Sequence, residues 1–374
     1  MGLTALQASG EGLGTRFTAY QVGKYRGATA AARFSDPQAE FATLRSECAV
    51  YDLGYRAKIS LTGGDRVRWL NGMVTNNVRD LAVGQGVYAF LLNPQGHILG
   101  DLYAYNRGES IVVDTDRSQL EKILATVDHY IIMDDVEVKD LSDSLTALGI
   151  AGPKAREVLN TAGIAIPEIG PLQLIDARCA CSCDCTECTV VRGDDDAAVE
   201  MYELWLAPGD VRKTWDALVA HGATPVGFEA LELHRIVSGI PLFGVDVRER
   251  ELPQETEQAR ALNFNKGCYV GQEIVERIRS RGAVHRKLAG FLVGGLHSIA
   301  AGTKVVVGEK EVGEITSVAS LCQPNAEATI ALGYIRRELG TPGREVMLGS
   351  VKATVVPLPV SNSVLLGHAV ARPA

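Results

Sequence analysis

The sequence predicts an α+β protein that ends in a separate all-β domain, and three observations carry that expectation. Extended and helical segments alternate between residues 57 and 138. They alternate again between 145 and 237. Beyond Arg286 the texture breaks into short β-rich pieces punctuated by glycine and proline.

Residues 57–62 read as a strand, and a helix opens at Asp65. Asn93-Pro94-Gln95-Gly96 and Asn106-Arg107-Gly108-Glu109 are turn sequences, because proline presets φ and glycine takes positive φ without steric penalty. The runs they separate, 87–92, 97–105 and 110–114, read as antiparallel strands. Leu120, Ile123, Leu124 and Val127 fall at helical spacing within 117–129, and 136–138 returns to strand. A second unit follows: strand 145–150, helix 153–162 with proline at its start, strand 203–206, helix 209–221 and helix 228–237. The pieces 288–293, 303–307, 329–334 and 351–356 suit a small barrel.

At 374 residues and 46% hydrophobic content the chain exceeds the roughly 200–250 residues at which single cores stop growing, so two or three domains are expected. A formal net charge of -8 argues against a nucleic-acid partner, since a surface built for phosphates carries excess Lys and Arg. No run approaches the ~18 apolar residues that cross a bilayer, and residues 1–16 lack a basic stretch followed by an apolar one. A cytoplasmic protein with no membrane partner is therefore expected. Eight cysteines in a chain this long do not form a secreted disulfide framework, although five are packed between Cys179 and Cys188.

The sharpest local feature is Lys266-Gly267-Cys268-Tyr269-Val270-Gly271-Gln272-Glu273, followed by a helical pattern. A cysteine between two glycines, two residues from a lysine and just before a helix, sits where positive charge and helix dipole favour thiolate. The alternative is an inert thiol buried in a tight loop. The octapeptide resembles the signature of YgfZ-like folate-binding proteins, which support iron–sulfur cluster assembly and repair.

The resemblance extends along the chain through Tyr51-Asp52-Leu53, Leu61-Thr62-Gly63-Gly64-Asp65, the 93–105 hairpin, the segment 130–136, Gly149-Ile150-Ala151-Gly152-Pro153 and Gly239-Ile240-Pro241, which are similar to glycine-cleavage T-proteins and their YgfZ-like relatives. It implies a three-domain clover leaf around a tetrahydrofolate pocket, with a C-terminal β-barrel. On this scheme 1–50 plus 140–226 form the first α+β domain, 51–139 plus 227–284 the second, and 285–374 the β domain.

Glu203 is similar to the family carboxylate that holds the pterin ring, and a carboxylate can accept two hydrogen bonds from an aminopyrimidine edge. The glycine usual before the adjacent aromatic is here Met201. Without the resemblance, Glu203 would be an exposed strand residue. Arg235 matches the helix arginine that the family turns toward folate; alone it would be a solvated side chain. Asp101 lies where aminomethyltransferases carry paired aspartates, with Gly100 in place of the first. One carboxylate near the reacting nitrogens can position an amine or steer protons. Tyr88 and Asn93 line the pocket on this alignment, or serve as ordinary strand and turn residues.

The run Cys179, Cys181, Cys183, Cys185, Cys188 has no counterpart in the family pattern. Extended, its alternate cysteines would stand about 6.6 Å apart, too wide for one straight strand to wrap a zinc. As a loop around Cys185-x-x-Cys188 it could bind a metal or cluster; otherwise it is a run of small apolar side chains. Arg277, Arg279, Arg281, Arg286 and Lys287 form a basic segment that is either solvated or meets a folate polyglutamate tail or an acidic partner.

The expected function is thus tetrahydrofolate binding in support of iron–sulfur cluster assembly or repair. Cys268 and Lys266 would be the working pair, the partners iron–sulfur client or assembly proteins, and the state a monomer. A folate-dependent aminomethyltransferase using Asp101, or a folate-binding scaffold without turnover, are the alternatives.

Overall fold

The computed structural model describes residues 2–9, 21–179, 186–194, 199–282, 284–323 and 326–361, with backbone only at 179, 186, 281, 323 and 326. The chain divides into two compact units. The first comprises 1–91, 100–231 and 265–269; the second comprises 92–99, 232–264 and 270–374.

The first unit is built on two sheets. One has five strands in the order Gly86–Leu92, Ile98–Asn106, Ile111–Asp116, Arg56–Thr62, Glu137–Asp140. Its helices, Arg66–Met73 and Leu120–Tyr130, cover one face. Period-two alternation sends Ile59, Leu61, Leu91, Leu102 and Val113 to that face, where they enclose a small apolar cavity with Trp69, Leu70, Ile123 and Val127. The opposite face receives Arg56, Lys58, Asp101, Tyr103, Asp114 and Asp116.

The other sheet has six strands in the order Leu174–Cys179, Thr186–Arg192, Met201–Leu206, Thr146–Ala151, Ala49–Asp52, Thr224–Pro225. Leu148, Ile150, Val190, Tyr202 and Leu204 point from it into a core with Leu159, Trp215 and Leu218 of helices Ala155–Thr161 and Val211–Ala220. Because Tyr202, Leu204 and Leu206 face this core, Glu203 and Trp205 face the other way.

The second unit ends in a closed six-strand barrel, Arg286–Gly294, Ala326–Arg336, Lys310–Gln323, Lys304–Val307, Glu345–Leu348 and Val351–Val356, filled by Phe291, Ile315, Ile335 and Val355. The α+β class with a C-terminal barrel is therefore the observed one. The strand Lys310–Gln323 was not among the anticipated pieces, and it pairs along almost its whole length with Ala326–Arg336. Helix 117–129 appears as a 3-10 turn, Arg117–Gln119, running into Leu120–Tyr130. The turn at 93–96 is as expected, with Gly96 at φ 77° and the Gly96 N–H donating to the Asn93 carbonyl at 2.9 Å. Among the described residues, no helix is long and apolar enough to cross a membrane.

One backbone position governs how the six-strand sheet presents its polar side. Tyr51, Gly149 and Glu203 are direct cross-strand neighbours. A Cβ at Gly149 would lie 2.0 Å from the Tyr51 ring, so the missing side chain is what lets that ring lie across the strand beside Glu203. Gly149→Ala is expected to lower stability by about 1–3 kcal/mol, read as a shift in the urea midpoint at unchanged slope.

Candidate functional site

The polar faces of the two sheets bring together the charged and aromatic side chains of the first unit. Lys58 is wholly buried, and its Nζ donates to Asp114 Oδ1 at 2.7 Å. Arg56 grips the other side of Asp114 through Nη2 at 2.9 Å and Nε at 3.2 Å, and Asp116 through Nη1 at 2.7 Å. Two cations and two carboxylates balance one another there, with Arg26 adding a longer contact of 3.5 Å to Asp116. The pairing follows from register: Arg56 lies opposite Asp116 and Lys58 opposite Asp114 in adjacent antiparallel strands. Burial alone would push the Asp114 carboxyl up, but the two cations outweigh it and hold the group below its ordinary value.

Glu203 stands at the edge of this array with 24% of its side chain exposed. Its Oε2 accepts the Trp205 indole N–H at 2.8 Å and lies 4.0 Å from Lys58 Nζ. Lys58 Nζ sits 4.9 Å from the Trp205 ring centroid, and Tyr105 meets the same indole edge-on at 5.3 Å. Burial and the neighbouring Asp114 raise the Glu203 carboxyl above its usual value, while Lys58, Arg56 and the Trp205 hydrogen bond oppose the rise.

Asp101 is held from both sides. Tyr88 donates its hydroxyl to Oδ2 at 2.7 Å and Gln119 its amide to Oδ1 at 2.7 Å, while the Asp101 N–H donates to Gln119 Oε1 at 2.9 Å. Burial and Asp116 raise this carboxyl above its ordinary value. A Cβ at Gly100 would stand 2.9 Å from Gln119 Oε1, so Gln119 in this rotamer occupies the room that a side chain at position 100 would need. Tyr88 is 4% exposed and acts on Asp101 rather than lining open space.

Lys266 and Cys268 separate in the structure. Lys266 is buried, and its Nζ donates to the carbonyls of Asn71, Val74 and Asn76 at 2.5, 2.6 and 2.7 Å. These carbonyls lie at and just beyond the C-terminus of helix Arg66–Met73, where peptide oxygens lack helical partners. Burial and the nearby Arg79 charge push the ammonium down to about 7, while the three carbonyl oxygens accept its hydrogen bonds. Lys266, expected as the working partner of Cys268, here clips the motif to a helix end. Cys268 is exposed, which corrects the alternative of a buried, inert thiol.

Arg235 is also reassigned. It is 5% exposed, and within the second unit its guanidinium serves Asp246 at 2.7 Å, Glu232 at 2.7 Å, Ser317 at 2.9 Å and the Ile240 carbonyl at 3.4 Å. Its donors are spent on protein acceptors, so it ties helix Phe228–Ser238 to barrel strand Lys310–Gln323 rather than reaching for a ligand. Asn93 closes its own turn, its Oδ1 accepting the His97 N–H at 2.9 Å. Arg286 pairs with Glu255 at 3.0 Å and covers the Tyr334 ring, and Arg279 covers the Phe264 ring, so these two members of the basic segment are engaged locally.

Of the cysteine run, Cys181, Cys183 and Cys185 lie outside the described residues, as does the side chain of Cys179. Cys188 is buried in the apolar core, where burial and the nearby Asp176 push its thiol up to about 11.

Sequence reasoning missed Lys58, Arg56, Asp114, Asp116, Gln119 and Trp205. A signal was present: Arg56 and Lys58, and Asp114 and Asp116, recur at period two inside otherwise apolar strands, where unpaired charges would be too costly. Lys266→Met is expected to cost about 3 kcal/mol by leaving three carbonyls without their donor, whereas Cys268→Ser should stay within about 0.5 kcal/mol of the parent; urea denaturation of both variants checks the contrast.

Comparison with known proteins gives the same architecture a family. The aminomethyltransferase of Rubrobacter xylanophilus is 29% identical over 336 residues, covering 87% of each chain. That of Streptomyces avermitilis is 27% identical over 360 residues, covering 91% of each. The crystal structure of the glycine cleavage system aminomethyltransferase T from Bartonella henselae superposes with a TM-score of 0.82 at 20% identity, over 96% of this chain and 98% of that one, which speaks for the fold. Residues 13–266 match the GCVT N-terminal domain and residues 286–362 the glycine cleavage T-protein C-terminal barrel domain. The chain belongs to the glycine cleavage T-protein family.

Proposed function

We propose that this protein binds tetrahydrofolate at the polar sheet face of its first unit and uses it in support of iron–sulfur cluster assembly or repair. The observation that carries the folate reading is Glu203: a partly exposed carboxylate with one oxygen fixed by Trp205 and, among the described residues, no hydrogen bond to the other. An aminopyrimidine edge offers adjacent N–H donors, and a carboxylate held in a low-dielectric, aromatic surrounding binds such donors more strongly than one in bulk water. Asp101, tethered by Tyr88 and Gln119 on the polar face of the five-strand sheet, is the second acceptor or proton carrier.

Tetrahydrofolate, when bound, supplies nitrogen atoms that carry one-carbon units. The chain's own residues orient it and keep the carboxylates in fixed rotamers. The iron–sulfur reading rests on Cys268: an exposed thiol in the Lys-Gly-Cys motif, on a loop that Lys266 anchors through three hydrogen bonds. That pairing of a rigid anchor with a presented thiol suits a residue that meets a partner or a cluster precursor.

Aminomethyl transfer is the second reading, favoured by Asp101 and by relatives named as aminomethyltransferases. A carboxylate whose pKa is raised is suited to exchanging a proton with an amine during transfer.

Glu203→Ala is expected to weaken tetrahydrofolate binding tenfold or more, about 1.4 kcal/mol or above, in a calorimetric titration; unchanged affinity in the folded variant removes Glu203 from the site. In a bacterium lacking its own YgfZ-like protein, the wild-type chain should restore the activity of a [4Fe-4S] enzyme and Cys268→Ala should not. Failure of both, with folate binding intact, favours the transferase, for which Asp101→Asn should abolish aminomethyl release from a lipoyl carrier protein.

A further inference from the structure

Lys58 is the one fully buried ammonium on the polar face among the described residues, and it shares Asp114 with Arg56. Arg56 already supplies a two-pronged contact to that carboxylate. What Lys58 adds is reach. From its 2.7 Å bond to Asp114 Oδ1 its charge extends 4.0 Å to Glu203 Oε2, and the Trp205 ring lies 4.9 Å from Nζ. Trp205 also donates to that same Glu203 oxygen. Cation, carboxylate and indole thus form a closed set in which moving any one changes the other two.

We infer that Lys58 and Asp114 act together as positioning residues that set the pH at which Glu203 is ionised and able to accept hydrogen bonds from an aminopyrimidine edge. This rests on the folate reading of Glu203. Among the described residues, the other charged or titratable groups that act on Glu203 are Arg56 on the strand that carries Lys58, Tyr55 just before it, and Tyr105 on strand Ile98–Asn106. The two tyrosines are neutral across the working range, and Arg56 is committed to Asp114 and Asp116. Lys58 and Asp114 are therefore the two groups whose removal changes the charge facing Glu203 in opposite directions.

The signs follow directly. Taking away the ammonium leaves Glu203 facing Asp114, and protonation moves to higher pH. Taking away the Asp114 charge removes a repulsion and frees Lys58 for Glu203, and protonation moves to lower pH. A purely structural role for the pair would move neither.

The test reads Glu203 through its own hydrogen bond. The Trp205 indole N–H resonance, assigned by its loss in Trp205→Phe, is followed against pH in the ligand-free protein. A titration step is expected in the wild type and should be absent from Glu203→Gln. Lys58→Met should raise its midpoint by about one pH unit or more, and Asp114→Asn should lower it by a similar amount. If Lys58→Met does not fold, Asp114→Asn decides alone. A midpoint unchanged in either folded variant, or a step that persists in Glu203→Gln, overturns the proposal. The Kd for tetrahydrofolate, measured over the same range, should follow each midpoint. Midpoints that move while binding ignores them leave the charge relation standing and overturn the folate reading of Glu203 instead.

Discussion

A charge removed from water must find its opposite within a few ångströms, and the polar sheet face of this protein is organised by that requirement. Lys58 has no solvent exposure and Asp114 and Asp116 almost none, so each is tolerable only because Arg56 and Lys58 are matched against the two carboxylates by strand register. An unmatched member would carry a desolvation cost of several kcal/mol. The match fixes the rotamers of four long or polar side chains at once. Glu203 takes its surroundings from that fixed array together with Trp205 of its own strand.

Strand alternation then separates the two kinds of chemistry. On the five-strand sheet, Ile59 and Leu61 go to the helices while Arg56 and Lys58 go to the other side; on the six-strand sheet, Tyr202 and Leu204 go to the core while Glu203 and Trp205 do not. Each sheet contributes a dry face that stabilises and a polar face that can bind. The glycine at 149 adds a local refinement, since the absent side chain leaves space for the Tyr51 ring next to Glu203.

The motif around Cys268 shows how a single pattern of residues can hold two unlike roles. Its lysine completes the hydrogen bonding of a helix end, and its cysteine stands in solvent. A rigid anchor two residues from an exposed thiol restricts where that thiol can go, which is what a reactive or partner-facing group requires. Arg235 illustrates the reverse: a residue expected at a ligand is consumed by a buried network with Asp246, Glu232 and Ser317, where its planar fork suits several acceptors at once.

By itself the sequence determined the α+β class, the barrel at the C-terminus, the turn at 93–96 and the candidacy of Cys268, because periodicity, turn chemistry and motif spacing are local properties written along the chain, while the candidacy of Asp101 and Glu203 came from the resemblance to a known family. Only the tertiary structure decided what the charged residues do. Lys58 meets a partner 56 residues away, and Lys266 meets carbonyls 190 to 195 residues away. Whether a lysine is a base, a clip or a counter-ion depends on which acceptors surround it, and acceptors that distant are assembled by strand register and packing, not by sequence neighbours.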